Sequence, residues 1–175
     1  QFADDSLHHT TLGFVGDASL YSIITCGRPI EFHLLPPGTP RWGQDFEDAM
    51  LAHYNHTVKI GAHGSSMPRR GNYLDLDPTY RDAWGQPLLR MTFDFPDNDL
   101  RMSAFVTEKL REIGKAMGGK EVAVAPRKGP FDTTVYQSTH NTGGAIMGAD
   151  PSTSAVNRYL QSWDVPNVFV VGASA

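Results

Sequence analysis

Leu88-Leu89-Arg90-Met91-Thr92-Phe93-Asp94-Phe95-Pro96-Asp97-Asn98-Asp99 decides the fold class, because one structural period hands over to another within it. Leu89, Met91, Phe93 and Phe95 alternate with Leu88, Arg90, Thr92 and Asp94, the two-residue period of a strand with one face on a core and the other largely polar. Pro96 stops the ladder. Asp97, Asn98 and Asp99 then supply capping and acidic groups. Met102, Val106, Leu110, Ile113 and Met117 follow at spacings of four, four, three and four, which predicts an amphipathic helix from 97 to 117, closed by Gly118-Gly119. Glu121 to Ala125, with Val122 and Val124 on one face, reads as a further short strand. Strand, helix and strand in this order predict an α+β fold, a mainly antiparallel sheet with helices on one face.

Upstream, the apolar stretches Leu12 to Val15, Leu20 to Thr25 and Ile30 to Leu35 are broken by Gly13, Gly16 and Gly27-Arg28-Pro29, and read as strands joined by tight turns. Thr39-Pro40 offers an N-cap followed by proline, and Trp42, Phe46, Met50 and Tyr54 recur every four residues as the apolar face of a short helix. Val58 and Ile60 mark a strand within His56 to Ser66, and Met67 to Gln86 is polar and turn-rich, with Pro68, Gly71, Pro78 and Gly85 as breakers. Downstream, the run Val168 to Val171 reads as a fully buried strand leaving through Gly172-Ala173-Ser174. Such a strand needs neighbours on both sides, and the chain opens without methionine, so a fragment is expected. One packed unit is expected over 1–137 and a second environment over 138–175.

Composition narrows the function classes. The 175 residues are 40% hydrophobic and 19% charged, with a net charge of -4, a globular composition rather than a solvated tail. Fifteen Lys plus Arg against nineteen Asp plus Glu leave no electrostatic footprint for a nucleic acid. No apolar run reaches the roughly 20 residues that span a bilayer. Cys26 is the only cysteine, which excludes an internal disulfide or a multi-thiolate metal site. Seventeen Gly and twelve Pro imply many turns and disfavour an all-helical bundle.

The stretch richest in chemistry is Ser138-Thr139-His140-Asn141-Thr142-Gly143-Gly144-Ala145-Ile146-Met147-Gly148. An imidazole titrates near neutral pH and accepts a hydroxyl proton without strong tuning, and the small residues that trail it let another molecule approach the backbone. The bland alternative is a histidine bonded at a strand end, with glycines that merely turn the chain. His53, His56 and His63 have no carboxylate or thiolate set beside them, so no metal site is expected. Asp75, Asp77 and Asp82 lack the glycine and glutamate of a calcium loop and read as turn caps. Arg69-Arg70 reads as a solvated turn, or as an attractor for a carboxylate substrate. Trp42, Trp84 and Trp163 are candidates for a sugar-stacking platform, though Trp42 is more simply core.

His140-x-x-Gly143-x-x-x-Met147-Gly148, then Val156-Asn157-Arg158-Tyr159-Leu160 and Pro166 to Ser174, resemble the C-terminal region of the glucose–methanol–choline (GMC) flavin oxidoreductases. Arg28-Pro29-Ile30, Pro36 to Gly43, Asn72 to Pro78 and Thr139 to Gly144 carry the resemblance further, to the flavoprotein large subunits of gluconate 2-dehydrogenases and related membrane-associated sugar and sugar-acid dehydrogenases. The resemblance implies a substrate-binding domain over 1–137. It also implies an active-site segment over 138–175 that begins the return to an FAD-binding α/β domain, ending in a strand of that truncated domain. It makes His140 the general base beside the flavin, and places Asn141, Gly172, Ala173 and Ser174 at the cofactor. FAD is the implied cofactor, although no G-x-G-x-x-G occurs and most of its site would lie elsewhere in the complete protein. Gly144 stands where threonine is common, and Gly172 where an acidic residue is common. A small subunit, a multihaem cytochrome c subunit and the periplasmic face of the inner membrane are implied as setting. The isolated chain is expected to be inactive. The competing expectation is a noncatalytic carbohydrate-binding or interaction module on the same sheet platform.

Overall fold

The computed structural model describes residues 12–24, 35–134, 136 and 141–175. The expected base His140, Cys26, Arg28-Pro29-Ile30 and most of the strand expected over Ile30 to Leu35 lie outside the described residues. The fold is α+β, with β1 (Ala18–Ile24), α1 (Gln44–His53), β2 (Val58–Gly64), β3 (Tyr73–Arg81), β4 (Pro87–Thr92) and α2 (Asp97–Ala116). Each sheet is an antiparallel pair, β1 with β2 and β3 with β4. The chain divides into two compact units, residues 1–66 with 96–128 and residues 67–95 with 129–175.

In the first unit β1 and β2 pair from Ala18 opposite Gly64 to Ile24 opposite Val58. Strand alternation sends Ala18 and Leu20, with Ala62 across from Leu20, to one face. There α2 brings Met102 and Val106, and these two form a buried cluster with Phe14 and Ala18, backed by Leu20, Ala62, Phe105 and Leu110. Burying a side chain of this size is worth about 1.5–3 kcal/mol, so the helical stripe is what holds this unit together. Its far end departs from expectation: Met117 lies past the helix and is 59% exposed.

The start of α2 differs in kind. Its N-cap is Pro96, without a side-chain cap, and the Pro96 carbonyl accepts from the N–H groups of Asp99 and Leu100. The expected capping side chains are used on tertiary contacts instead. Asn98 accepts from Val15 N–H at 2.8 Å and donates to Val15 O at 2.9 Å, and the buried Asp99 accepts from Ser66 Oγ at 3.2 Å. At α1 the cap is Gly43, because Thr39 commits its hydroxyl to Pro36 O at 2.7 Å and closes a separate turn. Trp42 therefore sits in the lead-in, 83% exposed, and is not core. Leu12 to Val15 is turn rather than strand. Glu121 to Ala125 also forms no strand; Val122 folds back to touch Gly114 of α2, and Arg127 N–H bonds Ser103 Oγ at 2.8 Å, so the segment is docked on the helix instead of paired.

The second unit contains the largest departure. Residues 67–86, read as turns, hold the nine-residue strand β3. Asp75, Asp77 and Pro78 read as breakers in isolation, yet Tyr73 to Leu76 pair residue by residue with Thr92 to Leu89, and the register shift between Leu76 and Arg81 absorbs the Asp77-Pro78 irregularity. Asp77 accepts from the N–H groups of Thr79 and Tyr80 at 2.8 Å, and Asp82 from those of Trp84 and Gln86. Both act as the turn caps expected of them.

The alternation of β4 is present, but its apolar face is turned out. Leu89 opposes Leu76 and Met91 opposes Leu74, and all four are more than half exposed. Only the end of the stretch is covered: Phe95 is 8% exposed, packed edge-on at 5.2–5.6 Å from Phe93, Phe131 and Tyr136. The run Val168 to Val171 is neither a strand nor buried. Ser162 N–H bonds Val168 O and Val170 N–H bonds Leu160 O, so one segment partners it, and Val168, Phe169 and Val171 are 44–74% exposed.

Candidate functional site

The site is built on a small scaffold in the second unit. Val156, 1% exposed, bridges Met147 in parallel and Ser162 in antiparallel sense. Gly148 N–H bonds Val156 O at 2.9 Å and Ala155 N–H bonds Ile146 O at 2.8 Å, tying 146–148 to 155–156. Asp150 starts the connecting turn by accepting from Ser152, and that bond holds its carboxyl below the ordinary aspartate range. Trp163 closes the far side, its indole N–H donating to Ser154 Oγ at 3.0 Å.

On this scaffold two segments that are far apart in sequence lie side by side. Gly143 N–H donates to Ala173 O at 2.8 Å, and Ala145 N–H donates to Ser174 O at 2.7 Å. The two acceptors are neighbouring residues, so this is a pair of loop-to-loop backbone bonds rather than a strand ladder. Gly143 (φ 77), Gly144 (φ 109) and Gly172 (φ 108) all occupy the left-handed half of backbone space, which is cheap for glycine and strained for other residues. A Cβ on Gly143 or Gly172 would meet no atom within 4 Å, and one on Gly144 would meet only Leu74 Cδ1 at 3.7 Å.

Of the expected site residues, Ala173 and Ser174 accept these bonds, with Gly172 just before them; Asn141 lies two residues before Gly143, and His140 lies outside the described residues. Asn141, Gly172 and Ala173 are exposed and Ser174 is half-buried. Small residues with open backbone fit the close approach of a flat cofactor ring such as a flavin. The other candidates from the sequence make contacts of their own or stand apart from this loop pair. Asp75 pairs with Arg90, whose Nε lies 2.8 Å from Oδ1 and which draws the carboxyl below its ordinary range; the same pairing raises the guanidinium. His53 ends α1, His56 Nδ1 sits 3.0 Å from Ala52 O, and the His63 ring stacks at 4.7 Å on Tyr21 of the first unit. Trp84 is 84% exposed near the tip of the β3–β4 hairpin, and Trp163 is the one tryptophan of the three beside the scaffold.

One feature beside the scaffold escaped the sequence reading. An open cleft of about 400 Å³ is lined by Met147, Gly148, Asn157, Arg158, Tyr159 and Trp163. Asn157 Oδ1 accepts from Tyr159 and Gln161 N–H groups and turns the chain so that Arg158 lies 4.8 Å over the Tyr159 ring. The signal for that turn was an asparagine two residues before a tyrosine, since asparagine side chains bond backbone two residues on.

The two stretches that carry the resemblance to the C-terminal region of the GMC flavin oxidoreductases, 141–148 and 166–174, thus lie side by side. The family model for GMC oxidoreductase matches residues 68–175, and the chain belongs to that family. It is 53% identical, over 99% of its length, to the gluconate 2-dehydrogenase flavoprotein of Pantoea cypripedii. It is 33% identical over 73% of its length to the fructose dehydrogenase large subunit of Gluconobacter japonicus, and 28% identical over 77% to the 2-methyl-1,2-propanediol dehydrogenase of Mycolicibacterium austroafricanum. The chain spans 29%, 22% and 23% of those proteins, under a third of each.

Proposed function

We propose that this chain is the C-terminal part of an FAD-dependent dehydrogenase that oxidises a secondary or primary hydroxyl of a sugar, polyol or sugar acid, in the manner of a gluconate 2-dehydrogenase. The observation that carries this reading is the pair of backbone bonds from Gly143 to Ala173 O and from Ala145 to Ser174 O, which joins the glycine loop to the segment expected at the cofactor. The relatives' names support it, since they act on gluconate, fructose and a diol and share the CH–OH group as reacting unit. In this reading residues 1–137 serve the substrate and 138–175 serve the chemistry.

Bound FAD would take the hydride from the carbinol carbon. The chain's own task is then to orient that carbon and to remove one proton. His140 accepts the hydroxyl proton as the C–H bond breaks and the C=O bond forms, becoming imidazolium while the substrate becomes a carbonyl compound. Asn141, Gly172, Ala173 and Ser174 would hold the cofactor, the last three with small side chains that leave the backbone open. A multihaem cytochrome c subunit receives the electrons at the periplasmic face of the inner membrane, a small subunit accompanies the flavoprotein in export, and the flavoprotein and large-subunit names of the relatives support an assembly of several subunits. The isolated chain, holding so little of the cofactor site, neither retains flavin nor turns over.

The deciding experiment is His140→Ala in the full-length flavoprotein, with flavin content and anaerobic flavin reduction by gluconate both measured. Flavin content stays at the wild-type level and reduction slows by about 10² to 10⁴-fold, the usual contribution of a positioned base. Wild-type reduction kinetics in that variant would remove His140 from the mechanism.

A further inference from the structure

The β3–β4 pair is amphipathic, and its apolar side is bare. Leu74 and Leu76 stand opposite Met91 and Leu89 on one face, while Tyr73 and Asp75 stand opposite Thr92 and Arg90 on the other, where Asp75 and Arg90 form an ion pair. All four residues of the first face are more than half exposed. Single exposed apolar side chains are ordinary, but a contiguous set on one sheet face marks a surface that something else covers. We propose that this face is the docking surface for the remainder of the same flavoprotein, the chain outside residues 1–175, and not for a second subunit. The inference rests on the reading above, that these residues are one part of a larger FAD-dependent enzyme.

Among the described residues the pair has no third strand, and a lone two-stranded hairpin with a bare apolar face is marginal in water. The first unit shows the same geometry completed: there the apolar face of β1 and β2 packs against Met102 and Val106 of α2. Nothing equivalent among the described residues covers Leu76, Leu89 or Met91. Ample chain exists to do so. These residues span 29% of the gluconate 2-dehydrogenase flavoprotein that they match at 53% identity, so more than two thirds of that relative has no counterpart in them. The place of the face says where such chain arrives. A Cβ on Gly144 would lie 3.7 Å from Leu74 Cδ1, so the apolar face starts at the glycine loop, which is itself bonded to Ala173 and Ser174. Chain that brings FAD to those segments therefore stands at the Leu74 end of the face. Being part of the same polypeptide, it covers the face without the entropy cost of capturing a separate molecule. The composition agrees: three leucines and a methionine, with no charge, ring or hydroxyl, resemble an interior laid open more than a separable subunit boundary with its aromatic and arginine anchors.

The test uses the FAD-loaded full-length flavoprotein alone, diluted to its monomer, with hydroxyl-radical footprinting read at Met91 and, in a second sample, a benzophenone photocrosslinker in place of Leu89. Met91 and Met102 are 60% and 4% exposed, so a bare Met91 is labelled about tenfold faster than Met102 and a covered one at about the same rate. The expected result is loss of that tenfold excess at Met91, with the crosslink running within one polypeptide to peptides outside residues 1–175. A Met91 that keeps its excess in the monomer overturns the proposal. So does protection that arises only when another subunit is added or when a second copy associates, and so does a crosslink to either. Those results leave the dehydrogenase reading intact, because flavin content is read separately from the visible spectrum of the same sample. A full-length protein that binds no FAD overturns the dehydrogenase reading itself, and this inference with it.

Discussion

In the first unit Met102 and Val106 lie 4% and 6% exposed beneath Phe14 and Ala18, whereas in the second Leu74, Leu76, Leu89 and Met91 share one sheet face and every one is more than half exposed. The first unit is held by a hydrocarbon seam between a long helix and a strand pair. The second is held by turns in which carboxylates and carbonyls satisfy backbone N–H groups, with one aromatic cluster at Phe95. The difference teaches where each kind of work is done. A seam of buried side chains tolerates little movement, while a unit built of backbone ladders and capped turns keeps small residues and open backbone available where a ligand must come close. The loop pair at 143–145 and 173–174 sits in the second kind.

The sharpest way to break that comparison is to remove one anchor from each unit and follow amide exchange separately over residues 12–24, 58–66 and 96–128 and over 67–95 and 141–175. Phe95→Ala removes the ring on which Phe93, Phe131 and Tyr136 converge, and its cost is about 3 kcal/mol, expressed as faster exchange over the second set. Met102→Ala costs about 2–3 kcal/mol and speeds exchange over the first set. If Phe95→Ala were silent in the second set, the aromatic cluster would not be its anchor and the contrast drawn here would fail.

A smaller effect tests the polar side of the first unit. Asn98 clamps both the N–H and the carbonyl of Val15, at 2.8 and 2.9 Å, so Asn98→Ala should cost about 1–2 kcal/mol and release Phe14 from the cluster. Thermal unfolding checks the size, and Phe14–Phe105 contact, 5.5 Å between ring centroids, supplies the local readout. An unchanged melt would mean the hydrocarbon seam needs no clamp.

Much of this was legible in the residues. The stripe Met102, Val106 and Leu110 identified α2 because its spacing has no other use, and Val58 with Ile60 found β2. The α+β class came from reading strand, helix, strand over 88–125, and it holds although the last of those strands, Glu121 to Ala125, does not form. What the sequence hid was pairing. β3 was lost in a stretch of Asp, Pro and Gly because each residue suggests a turn on its own, and only the partner strand, with Asp75 across from Arg90 and Leu76 across from Leu89, makes it extended. Burial was hidden for the same reason. Alternation says which side chains share a face, but not what covers that face, and so Leu89 and Met91 were assigned to a core that the described residues do not supply. At the site, His140-x-x-Gly143 and Gly172-Ala173-Ser174 were each picked out by resemblance, but nothing in either string says that Gly143 and Ala145 would bond Ala173 and Ser174. That pairing is a long-range fact.

The mildest prediction concerns acid. Asp75, Asp77, Asp132 and Asp150 all have carboxyls held below the ordinary aspartate value: Asp75 by the Arg90 guanidinium, Asp77 by the N–H groups of Tyr80 and Thr79, Asp132 by Thr134, and Asp150 by Ser152. All four belong to the second unit. A carboxyl whose value is depressed on folding stabilises the fold in its ionised form, so the contribution is complete well above the unfolded aspartate value of about 3.9 and is withdrawn as the pH falls through the lower folded values. Each group is exposed and each effect small, but they share one sign and one unit. Lowering the pH from 6 toward 3 should therefore loosen residues 67–95 and 141–175 before the seam around Met102, with Asp77→Asn and Asp150→Asn each removing part of the pH dependence. Exchange measured across that range decides it: a first unit that opens earlier in acid than the second would show that capped turns are not what holds the second unit together.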